Sequence, residues 1–250
     1  MTISQLVLSA SRLDLIEAGE QIGTASGFFY ATASHLLLVT NRHVVRDEEK
    51  GVEPDSLRLR LHMDASDVRK NGHYVVPFYS TTGEPLWKQH HPSSKIDIAL
   101  VPLDREELTE TFVIKAFTSD SFLPETYVLD PGEDVFVMGY PRGFHDEKAN
   151  LPVFRNAMIA SVYGVHFRGM PCFLTDANLH PGTSGSPVIT KPKNTWRDKD
   201  GAVHMVTGVP HYLLGVHSGT YGITLEDGTA DPLGLGVAWY SNLIEDIASR

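Results

Sequence analysis

HPGTSGSPV, residues 180–188, joins two apolar segments with two glycines, two prolines, two serines and a threonine. A loop that only had to link two strands could be shorter and could use Asn-Gly or Asp-Gly. Gly182 and Gly185 carry no Cβ, so the backbone can turn sharply around Ser184. The N–H groups of Gly182 and Ser184 can then point to one spot beside the Ser184 hydroxyl. Pro187 returns the chain to an extended segment. A loop this bare suits a serine whose substrate carbonyl must touch the backbone.

A serine hydroxyl is a poor nucleophile until a base takes its proton. The base works best near neutral pH, which points to histidine. Its imidazole needs a carboxylate to fix the tautomer and stabilise the charged form. The chain supplies both upstream. His43 follows the apolar run LLLV in TNRHVV, and Asp97 opens the apolar strand DIALVPL. Each residue alone reads as an ordinary loop or turn residue; the ordered set His43, Asp97, Ser184 reads as a candidate triad.

Strand patterns dominate around these residues. SGFFYA (26–31), HLLLVT (35–40), SLRLRLHM (56–63), HYVVPFYS (73–80), DIALVPL (97–103) and TFVIKAF (111–117) are rich in β-branched and aromatic residues or alternate in polarity. The pattern fades over 118–133, where Pro, Gly and acidic residues gather as in a linker. It resumes in DVFVMGY (134–140), NAMIASVYG (156–164), PCFLTDA (171–177), SPVIT (186–190), VHMVTGV (203–209), YLLGVHSG (212–219) and LGLGVAWY (233–240). KPKNTWRDKDG (191–201) reads as a polar hairpin tip. SNLIEDIASR places Ser241 at a helix N-cap, with Trp239, Leu243, Ile244 and Ile247 near helical spacing. The expected organisation is all-β: an N-terminal segment and first β-barrel over 1–117, a linker over 118–133, and a second β-barrel with a terminal α-helix over 134–250.

Composition narrows the class. At 42% hydrophobic and 21% charged residues the 250-residue chain matches an ordinary globular protein. A formal net charge of −10 argues against nucleic acid as a partner. Cys172 is the only cysteine, so no intrachain disulfide can form. The N-terminus lacks the basic start, longer apolar run and cleavage site of a signal peptide, and no apolar run approaches a membrane span. These features lead us to expect a cytoplasmic protein with no membrane partner.

The combination resembles trypsin-like (chymotrypsin-fold) serine proteases. His43 in TNRHVV, Asp97 in DIAL and Ser184 in GTSGSP look like their triad. SGFFY, GYPRG (139–143), TDANLHPGTSGSP (175–187) and LLGVHSG (213–219) resemble bacterial members, including HtrA-type proteases and glutamyl endopeptidases. The resemblance implies two antiparallel β-barrels with the site between them, a serine endopeptidase working through an acyl-enzyme, and a protein or peptide substrate. It implies an oxyanion hole from the Gly182 and Ser184 amides and substrate contacts from Asn178, Leu179, His217, Ser218 and Gly219. It places the Ser218 hydroxyl in support of Asp97. His217 matches a histidine that meets an acidic or amide P1 side chain, whereas Leu179 suits an aliphatic one. Thr183 stands where digestive trypsins carry an activation aspartate, so regulation would fall to a loop, a protein partner or the N-terminal segment. Two other readings stay open: a silent protease-fold binding module, and an esterase using the same triad.

No cofactor or metal is implied. His90 and His91 are adjacent and point to opposite sides of an extended chain, and neither HExxH nor CxxC is present. GTSGS is not the G-x-S-x-G elbow, because Ser186 takes the last glycine's place. Gly23 and Gly27 lack the Lys and helix of a phosphate loop. Cys172 reads as a small core residue.

Overall fold

The computed structural model describes residues 4–250 except 92, 94, 178, 209 and 225–228, with side chains at 224, 230 and 232 also left aside. The first half contains β1 (Ala10–Glu17), β2 (Glu20–Ala31), β3 (Leu36–Thr40), the one-turn helix α1 (Arg42–Val45), β4 (Ser56–His62), β5 (Asn71–Pro77), β6 (Lys88–Gln89), β7 (Ala99–Leu103) and α2 (Arg105–Thr111). The second contains β8 (Asp134–Gly139), β9 (Val153–Ile159), β10 (Cys172–Asp176), β11 (Pro187–Thr190), β12 (Thr195–Arg197), β13 (Val203–Met205), β14 (Leu213–Thr224), β15 (Ala230–Tyr240) and the terminal helix α3 (Asn242–Ala248). The first set forms one antiparallel sheet in the order β5-β4-β1-β2-β3-β7-β6. The second closes into a six-stranded barrel, β10-β15-β14-β11-β8-β9, with β12 and β13 as a separate hairpin.

Strand alternation distributes the apolar side chains among three cores. Leu36 and Leu38 of β3 point into a core enclosed by the first sheet, with Leu13, Leu57, Leu59 and Val101. Leu37 and Val39, the intervening residues, point the other way into a core shared by both halves. Both faces of β3 are therefore buried, which is why LLLV shows no polar alternation. The barrel does the same: Val188 lies in the barrel's own core and Ile189 in the shared one. Leu243, Ile244 and Ile247 of α3 complete the shared core, and Glu245 accepts a hydrogen bond from the buried Tyr30 hydroxyl.

Several local expectations differ from the observed elements, among them the polar tip expected over 191–201, where β12 runs and Trp196 is buried in the barrel core. Residues 111–117 do not form a strand. Asp104 accepts the Glu107 N–H (3.0 Å) and starts α2, with Leu108 as its buried residue. The following segment then runs irregularly along the first sheet, with Val113 N–H donating to His62 and Phe117 N–H to Phe29. Trp239 belongs to β15 rather than the terminal helix, and Ser241 stands at the N-cap without a capping side-chain bond. β1, unmarked in the sequence reading, sits between β2 and β4, where its charged residues form the Arg12–Asp14 and Arg58–Asp14 pairs. No helix of the described residues is long and apolar enough to cross a membrane.

Candidate active site

Elements from both halves set the site. Asp97 lies just before β7, between Ile96 and Ile98, which are both buried in the shared core. With those two neighbours anchored, the Asp97 side chain faces the opposite way, toward α1. His43 occupies the first turn of α1, where backbone N–H groups have no intrahelical acceptor. Its N–H donates to Asp97 Oδ1 at 3.0 Å, and its ring Nδ1 lies 2.7 Å from Asp97 Oδ2. The two contacts fix both the ring and the carboxylate plane. The Ser218 hydroxyl donates to Asp97 Oδ2 at 2.5 Å, and Asn41 Nδ2 holds the Asp97 carbonyl at 2.7 Å. The Ser184 hydroxyl donates to the Ser218 carbonyl at 3.1 Å and not to His43.

The serine loop shows a regular pattern of engaged and open groups. The Pro181 carbonyl accepts from Arg142 N–H (2.6 Å), the Gly182 carbonyl from the Ser26 hydroxyl (2.8 Å), the Thr183 carbonyl from Ser186 N–H (3.0 Å) and the Ser184 carbonyl from Ser26 N–H (2.9 Å). In a trans peptide the N–H points away from its C=O. Fixing the Pro181 and Thr183 carbonyls therefore orients the N–H groups of Gly182 and Ser184. Among the described residues neither N–H has an acceptor. Glycine is required for this shape. Gly182 has φ +93°, and a Cβ there would lie 2.7 Å from Arg142 N and 2.8 Å from the Tyr140 carbonyl oxygen.

His43, Asp97, Ser184, Leu179, His217, Ser218 and Gly219 all line one cleft of about 900 Å³. Asn178 lies outside the described residues. Leu179 lines the cleft while packing against the barrel core. His217 is buried, and its pKa is pushed down to about 4, first by desolvation and then by His43. The ring is therefore neutral at physiological pH, and its Nδ1 has no partner among the described residues. Among them no three His, Cys, Asp or Glu side chains stand close enough to hold a metal.

A family model described as trypsin-like peptidase domain matches residues 25–195, more than half of the chain and the span holding His43, Asp97 and Ser184. The chain belongs to the trypsin-like peptidase domain family. The crystal structure of the serine endoprotease from Yersinia pestis is similar, with a TM-score of 0.52 and 15% identity over all of this chain and 66% of that one. That likeness is one of fold, and this chain spans about two thirds of the neighbour's length. No curated protein sequence matches the chain significantly. The architecture is chymotrypsin-like, a closed barrel beside a second antiparallel sheet.

In this trypsin-like chain the residues that hold the serine loop escaped the sequence reading. Ser26, Thr40, Asn41 and Arg142 each touch the loop, Asp97 or Ser26, yet none is a type that signals chemistry. Their signal was positional. They fall within SGFFY, TNRHVV and GYPRG, the same short stretches that carried the resemblance.

Proposed function

We propose that the chain is a serine endopeptidase that acts through an acyl-enzyme. In this reading Ser184 Oγ turns from the Ser218 carbonyl toward His43 and attacks the scissile carbonyl carbon. His43 Nε2 takes the hydroxyl proton, while Asp97 holds Nδ1–H and stabilises the imidazolium. The carbonyl oxygen becomes an oxyanion and accepts from the Gly182 and Ser184 N–H groups. As the C–N bond breaks, His43 returns the proton to the leaving amine. Water then repeats the sequence, with His43 as base, and releases the acid and Ser184. The observation that carries the reading is the serine loop itself: four consecutive carbonyls engaged and two N–H groups without acceptors among the described residues, beside a histidine–aspartate pair.

We place the P1 side chain against His217, Leu179 and Gly219. A neutral imidazole carries one N–H; turned from the Val237 carbonyl to the cleft, it donates to a carboxamide or carboxylate, which favours Gln or Glu over Arg or Lys. A cleavage profile enriched in Val, Ile or Leu at P1 and unchanged in His217→Ala would reject that assignment.

The rival is a silent binding module in which Ser184 stays bonded to Ser218, as it is here. A fluorophosphonate probe separates the two. The endopeptidase reading expects labelling and peptide cleavage in the wild type, and loss of both in Ser184→Ala with the fold retained. It expects His43→Ala to lose about as much activity, and the double variant to be little worse. Near-wild-type cleavage by Ser184→Ala would overturn it.

A further inference from the structure

The serine loop is held from beneath by one residue of the other half of the chain, Ser26 of β2. Ser26 is fully buried. Its backbone N–H donates to the Ser184 carbonyl (2.9 Å), and its own carbonyl accepts from the Thr40 hydroxyl (2.9 Å). Its hydroxyl lies between Tyr140 N–H (2.9 Å) and the Gly182 carbonyl (2.8 Å). An N–H can only donate and a carbonyl can only accept. The hydroxyl proton therefore has a single place to go, the Gly182 oxygen.

That oxygen belongs to the peptide unit between the two open N–H groups. Turning this unit changes ψ of Gly182 and φ of Thr183, and so re-aims the Gly182 N–H on one side against the Ser184 N–H on the other. Gly182 offers no side chain to resist the turn, and its φ of +93° lies where glycine moves freely. Within the unit itself, resistance comes from the Ser26 bond to its carbonyl (2.8 Å) and from a longer bond of its Thr183 N–H to the His180 carbonyl (3.3 Å).

We infer that Ser26 is a positioning residue for the oxyanion site, its hydroxyl holding the middle peptide of the serine loop so that both N–H donors converge. The inference rests on the endopeptidase reading above. Ser26→Ala strips both Tyr140 N–H and the Gly182 carbonyl of their buried partner and leaves the middle peptide held only by the longer Thr183 N–H bond to His180. Three readouts follow: kcat and KM per Ser184 labelled at saturation by a fluorophosphonate, melting temperature, and the affinity of two peptide inhibitors. One inhibitor ends in an aldehyde, which forms an oxyanion on Ser184. The other ends in the matching alcohol, which does not.

Outright loss of an oxyanion donor costs roughly 10²–10³ in rate, so mis-aiming both should lower kcat per labelled site ~10–100-fold with KM within ~3-fold. Aldehyde affinity should fall by the same factor as kcat/KM, and alcohol affinity should hold. If Ser26→Ala does not fold, Ser26→Cys, of similar shape but with a weak donor, takes its place under the same readouts. A variant that lowers only the melting temperature, with kcat per site unchanged, would overturn the inference, and so would equal losses for aldehyde and alcohol. A wild type that neither cleaves peptides nor takes the probe would overturn the endopeptidase reading, and this inference with it.

Discussion

Lowering the pH from 7 to 4 probes how deeply His217 is built into the barrel. The residue is 2% exposed, and its pKa falls from 6.5 to about 4 through desolvation, with His43 adding to the shift and a backbone hydrogen bond at Val237 opposing it. The folded pKa lies below the unfolded one. Between those values the unfolded chain binds a proton that the folded chain refuses. The contribution to stability is therefore complete above about pH 6.5 and drains away as the pH falls toward 4. At 1.36 kcal/mol per pH unit the total is about 3 kcal/mol, of which about 2 is gone by pH 5. His62, buried in β4 against the Ala149 carbonyl, is lowered in the same sense and adds its own loss. The assay is therefore a difference. Urea unfolding of wild type and His217→Gln, run at pH 7, 6, 5 and 4.5, cancels His62 and the carboxylates common to both. The wild type should lose about 2 kcal/mol more than the variant between pH 7 and 5. Parallel curves would refute the reasoning, since the imidazole would then be accepting its proton within the fold.

Gly185→Ala places a Cβ 2.2 Å from the Ser26 carbonyl oxygen and 2.4 Å from the Thr40 hydroxyl at φ +83°, so it should destabilise by more than ~3 kcal/mol in thermal melts. A variant melting within a few degrees of wild type would contradict the packing of that loop. Asp104→Ala removes the cap of α2 and should cost ~1 kcal/mol in denaturant unfolding, with peptide cleavage unchanged. A loss of cleavage there would show that α2 is coupled to the cleft.

The strands buried on both faces were the easiest to read, because residues 36–39 of β3 and 99–101 of β7 alternate between two cores and are apolar throughout. β1 was hidden for the converse reason: ASRLDLIE carries charges that become acceptable only when Arg12, Asp14 and Arg58 meet in space. α2 lost its signal to the β-branched run that follows, although Asp104 and Glu107 stand at capping distance. In the cleft, His43, Asp97 and Ser184 announced themselves by chemistry. Ser26 could not, because a buried serine reads like any small residue until its partners from 114 and 156 positions away are in place. Nor could sequence reveal that the Ser184 hydroxyl rests on Ser218, which depends on one side-chain rotation.

The core shared by the two halves has a consequence for synthesis. Phe28, Tyr30, Leu37, Val39 and Leu100 form its wall on one side; Met138, Ile189, Leu213, Val216 and Trp239 form it on the other. A chain emerging from the ribosome completes the first wall long before the second exists, so the early fragment presents a sticky, unfinished surface. It also holds His43 and Asp97 with no serine loop, since residues 180–188 are not yet made and Ser26 has nothing to grip. The proposed hydrolase thus cannot attack its surroundings while it is being made. The last strands and α3 supply the missing wall together with Ser218 and the support for Asp97, so that folding closure and the onset of chemistry become one event.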